Sequence, residues 1–152
     1  MENPFNTEET KPKRSTLLTV LLVLTFIGSG ISLVGNAYLS LFLDQYVELI
    51  EDAVDDDALA SLSSLFDNLI ETLEKVGSGY FGLLALLALA SVAGAVLMWK
   101  LNKLGFHFYA SAQVLLLLIP MVFGVTKFPG VFETALTALF IWFYARELKI
   151  FK

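Results

Sequence analysis

Four apolar runs dominate this chain, and each is long enough to cross a membrane as a helix. They cover residues 15–43, 76–99, 104–126 and about 130–145. Between the first and second lies an acidic insert, residues 44–79. Hydrophobic residues make up 57% of the chain and charged residues 16%, far more apolar than a soluble domain of this size can hide. The expected fold is an all-α integral membrane protein: a four-helix up-down transmembrane bundle with an extramembrane acidic helical hairpin between helices one and two. At 152 residues it suits a single domain. Residues 1–14 read as a disordered cytoplasmic N-terminus and 15–152 as one membrane domain.

Basic residues set the expected orientation. Lys11, Lys13, Arg14, Lys100, Lys103, Arg146, Lys149 and Lys152 fall on one side of such a bundle, and Lys75 and Lys127 on the other. The positive-inside rule then places both termini in the cytoplasm and the acidic insert outside. Residues 11–43 also resemble the start of a signal peptide, but the apolar run is too long for an ordinary signal core. It is read as a retained anchor. Short links between helices two and three, and three and four, force antiparallel neighbours.

The insert holds ten acids against the single base Lys75, yet its apolar residues keep helical spacing. Leu59, Leu62, Phe66, Leu69, Leu73 and Val76 follow steps of three and four, the seam spacing of one helix packed on another. Leu43, Val47, Ile50 and Val54 do the same upstream. Asp57 can N-cap a helix starting at Ala58, and Gly77-Ser78-Gly79 offers a C-terminal stop. The first apolar run would itself form a helix of roughly 43 Å, against about 30 Å of hydrocarbon. It is therefore expected to continue out of the membrane as the ascending arm. The alternative is an amphipathic helix lying flat on the bilayer, which usually carries a basic polar face.

Inside the spans, Gly28, Ser32 and Asn36 are spaced by four, and helix two carries Gly82, Ala85, Ala88, Ser91 and Ala95, with Ala90 and Gly94 also four apart, so these two small-residue faces are expected to pack together. The alternative is a homodimer seam. Candidate intramembrane polar groups are Gln113, Glu133 and His107. Glu133 is the one acid within the apolar spans, which raises functional suspicion. It also lies one turn past Pro129-Gly130, where a helix dipole favours it. His107, between Phe106 and Phe108, reads as an interfacial anchor. It should stand about 30 Å from Glu133 along the third helix, too far for an acid–base pair. Pro120 removes the donor for the Leu116 carbonyl.

No metal-ligand spacing, phosphate loop or nucleophile elbow appears, and Asp52–Asp57 lacks the alternation and glycine of a calcium loop. No cofactor, metal or catalytic residue is therefore expected, and the acidic balance argues against nucleic acid. The chain has no cysteine, so disulfides are excluded.

The stretch 98–109, reading MWKLNKLGFHFY and leading to Gln113, resembles the second-to-third helix junction of small uncharacterised four-helix bacterial inner-membrane proteins. That resemblance implies a bacterial inner-membrane location and no particular activity. Two functional expectations follow from the residues. One is a noncatalytic accessory or scaffold protein whose acidic hairpin meets a membrane or extracytoplasmic partner, or a second copy, with Leu49, Leu65 and Ile70 as the apolar contact. The other is a small-solute or ion transporter, which requires Asn36, Gln113 and Glu133 to line one continuous cavity.

Overall fold

A computed structural model describes residues 14–54 and 63–151. They form four helices: α1 Thr16–Val54, α2 Ser63–Trp99, α3 Lys103–Val122 and α4 Val131–Glu147, followed by a 3-10 turn at Leu148–Ile150. Three of them, α1 to α3, are long and apolar enough to cross a membrane. The fourth apolar run, expected at about 130–145, forms α4 at Val131–Glu147. At 17 residues, α4 rises about 26 Å, a little under the hydrocarbon thickness.

Both long helices contain one break. In α1 it falls at Phe42, with φ −129° and ψ 29°. In α2 it falls at Gly77, with φ 69° and ψ 172°, a left-handed φ that only glycine adopts without strain. Gly77 thus ends the helix of the descending arm, as its composition suggested, and a second helix starts directly after it. The chain bends at one residue and resumes helical winding, so the descending hairpin arm runs directly into the second span. The proposed acidic turn, the Asp57 cap, and the seam residues Leu59 and Leu62 lie outside the described residues.

The two arms meet through Leu43, Val47 and Ile50 of α1 and Leu73, Tyr80 and Phe81 of α2, with Phe66, Ile70 and Val76 half-buried against them. The contact row on α2 thus steps through 66, 70, 73, 76 and 80. Leu69, placed on the seam by its spacing from Phe66, is 41% exposed, and Ile70 takes the inward position. Steps of three and four both keep a residue near one helix face, so spacing alone could not choose between these neighbours.

At the other end, Leu18, Leu21 and Leu22 of α1, Ala95 and Met98 of α2, Tyr109 of α3, Tyr144 of α4 and Phe151 form the tightest core. Thr25 Oγ1 and the Tyr144 hydroxyl lie 2.8 Å apart in this core, and Ser15 donates to the Glu147 carboxylate, tying α1 to α4. Tyr109 and Tyr144 pack edge to face with centroids 5.0 Å apart. Arg14 stacks on Trp99 at 4.0 Å, placing charge and aromatic surface together as at a membrane–water boundary.

α2 turns into α3 through Lys100, Leu101 and Asn102, where Leu101 adopts a left-handed φ of 60°. The Asn102 N–H returns to the Leu97 carbonyl at 3.0 Å, while its side chain caps α3 by accepting from the Leu104 N–H at 2.9 Å. This turn brings Gly94 and Gly105 face to face. A Cβ on Gly94 would stand 2.8 Å from the Gly105 carbonyl oxygen, and one on Gly105 would stand 2.5 Å from the Gly94 carbonyl oxygen. Backbone meets backbone here because neither residue carries a side chain.

Candidate functional site

Only the second half of α4 packs into the core. Its first half leaves the bundle open: Val131 is 88% and Phe132 74% exposed. Between this half and α1, α2 and α3 lies a cavity of about 450 Å³. Its polar lining descends in layers from the hairpin end. Asn36 and Glu133 stand nearest that end, Ser32, Ser29, Gln113 and Thr137 in the middle, and Thr25 and Tyr109 at the floor. Leu24, Leu84, Leu116, Leu117, Leu136 and Phe140 supply the apolar walls. The floor is the termini-end core, so the cavity is closed on that side.

The hydrogen bonds inside are specific. Asn36 Nδ2 donates to the Ser32 carbonyl at 2.7 Å and reaches the Ser32 hydroxyl at 3.2 Å. A backbone carbonyl can only accept, so this contact fixes which way the Asn36 amide faces. Gln113 Nε2 donates to Ser91 Oγ at 3.0 Å, and Ser91 Oγ lies 2.9 Å from Ser29 Oγ. This chain of three side chains joins α3, α2 and α1 across the middle of the bundle. The Glu133 carboxylate folds back to 3.5 Å from the Cβ position of Gly130, in the first turn of α4, where free N–H groups favour negative charge. Pro120 brings no N–H to the Leu116 carbonyl, and both residues line the cavity.

The sequence candidates thus divide. Asn36, Gln113 and Glu133, from three helices, share one cavity, and Ser32 and Gly28 line it too. His107 does not: it is exposed in the second turn of α3, its ring 5.6 Å from that of Phe106. Of the expected small-residue packing, Gly82 and Ser91 of α2 do meet α1, but through Ser40 and Ser29 rather than through Gly28, Ser32 and Asn36. A Cβ on Gly82 would stand 3.0 Å from Ser40 Oγ. Gly94 instead faces α3, Ala90 is only half-buried, and nothing lies within 4 Å of a Cβ on Gly28. One residue is a rotation of about 100° on a helix, enough to turn the Gly28 row from the helix interface into the cavity.

The cavity residues that sequence reasoning missed on α1 are Thr25 and Ser29. Their signal was present, since Thr25, Ser29, Ser32 and Asn36 recur at steps of 4-3-4 within an otherwise apolar helix. Among the described residues, no group of three or more His, Cys, Asp or Glu side chains could hold a metal ion.

Compared with protein-family models, curated proteins and solved structures, the chain matches none. The likeness around residues 98–109 therefore rests on those residues alone.

Proposed function

We propose that this protein is a noncatalytic small-solute carrier of a cell membrane, holding its cargo in the cavity between α1, α3 and α4. The observation that carries this reading is the convergence of Asn36, Gln113 and Glu133 on one cavity. In a bilayer, polar side chains at mid-depth are costly and are retained where they face a pathway or one another. Packing at one end and an opening at the other is the form of a carrier resting open to one side.

We place both termini in the cytoplasm and the hairpin outside, in a bacterial inner membrane, with α4 as the fourth span. The cavity then opens away from the cytoplasm. The test is solute uptake into vesicles containing the purified chain, using a panel of small organic solutes of each charge. Gln113→Leu and the cavity-filling Gly28→Trp should each lower uptake of the carried solute at least tenfold. Uptake unchanged by both would overturn the reading.

A second reading keeps a specific observation of its own. Leu49 and Leu65, one on each hairpin arm, are each 66% exposed beside the acidic side chains. A hairpin bearing them is suited to a partner that is basic with an apolar strip. Photo-crosslinkers at positions 49 and 65 that capture nothing in intact membranes would remove this reading.

A further inference from the structure

The cavity is unbalanced in its hydrogen-bonding groups. Asn36 turns its amide hydrogens back to Ser32, and Gln113 gives one of its two to Ser91. What these amides leave for an occupant is chiefly their carbonyl oxygens. Among the described residues, no hydrogen bond satisfies Asn36 Oδ1, Gln113 Oε1 or the Glu133 carboxylate, and no Lys or Arg lines the cavity. Leu116, whose carbonyl Pro120 deprives of its helical donor, also lines the cavity. The Ser32, Thr137 and Tyr109 hydroxyls can donate or accept, so the balance of fixed groups favours an occupant that brings donors or positive charge.

Two further observations narrow its class. The walls are mostly leucine, with Phe140 and Tyr109 at the deep end, and about 450 Å³ lies within the range of pockets that take whole small organic molecules. A bare inorganic ion would need several oxygens converging at short range, and leucine walls do not provide them. The hairpin end also carries Asp44, Glu48, Glu51 and Glu74 around the base of the arms, against Lys75 and Lys127. Such a surface concentrates cations at a nearby mouth and repels anions.

We infer that the cavity binds an organic cation, a substituted ammonium with an apolar body, its charged end held between Glu133 and Asn36 and its body lying toward Phe140 and Tyr109. This rests on the carrier reading for the cavity's role, but binding can be measured without transport.

The chain has no cysteine, so Thr137→Cys gives a reporter inside the cavity, with Ser32→Cys as a second should the first fail to fold. The full-length chain in nanodiscs would be labelled with a water-soluble maleimide in the presence of one of three probes of similar size. These are benzyltrimethylammonium, neutral N,N-dimethylbenzamide and anionic benzenesulfonate. Benzyltrimethylammonium should slow labelling at least tenfold at saturation, and the other two less than twofold. Glu133→Gln should raise the concentration of cation required at least tenfold.

Equal protection by all three probes, or indifference to Glu133→Gln, would overturn the cation assignment while leaving a ligand cavity in place. Protection by none of them would overturn it too. The carrier reading fails separately, if no solute of any charge shows uptake sensitive to Gly28→Trp.

Discussion

The two ends of the bundle are built by different means. At the termini end, Leu18, Leu22, Met98 and Tyr144 are fully buried, hydroxyl groups bridge α1 to α4, and Gly94 meets Gly105 with no side chain between. At the hairpin end, α4 stands away and polar side chains line the gap it leaves. Water expels apolar surface from contact with it, but lipid does not, so apolar area alone cannot hold membrane helices together. The closed end is held by close backbone approach and hydrogen bonds. The open end lacks these contacts with α4, and the cavity is the consequence.

The sharpest way to break this comparison is to make one chemical change at both ends. Gly94→Leu should cost about 3 kcal/mol or more, because the atoms in its way are backbone and cannot yield as a side chain would. Gly28→Leu, with open space before it, should fall within about 0.5 kcal/mol of the parent chain. Denaturant titration in mixed micelles would read both, and equal losses would erase the distinction between closed and open ends.

The hairpin gives a second pair. Phe66→Asp should destabilise the arms by about 2 kcal/mol and expose them to protease, whereas Leu69→Asp should be tolerated. Limited proteolysis separates the two, and the reverse result would restore Leu69 to the seam. Tyr144→Phe removes the hydroxyl partner of Thr25 and should lower stability by about 1 kcal/mol, read as an earlier thermal midpoint. His107→Ala should change stability by less than about 0.5 kcal/mol and leave any solute uptake intact. A larger effect would return that histidine to the functional candidates.

Much of the architecture was legible in the sequence because length and apolarity dictate it. The second and third runs, 76–99 and 104–126, were located by the lysines that bound them. The continuation of α1 beyond the hydrocarbon thickness followed from counting residues. Rotation about each helix axis was not legible. Leu69 and Ile70, or Gly28 and Ser29, are neighbours in sequence whose facing is set by the partner helix. The same limit hid the cavity. Asn36, Gln113 and Glu133 were identifiable one at a time as polar groups in apolar spans, but their convergence depends on α4 standing away from α1. Nothing in the composition of α4 encodes that gap.

Cysteine accessibility tests most directly whether a polar cavity enters the bundle from the hairpin end. Asn36→Cys and Thr137→Cys, which face the cavity, should react with a membrane-impermeant maleimide added from the hairpin side and not from the side of the termini. Val34→Cys, 70% exposed on the outer surface of α1 and so facing lipid in this account, should stay unlabelled from both. If Asn36→Cys and Thr137→Cys prove as unreactive as Val34→Cys, no such cavity opens to water and the account is contradicted.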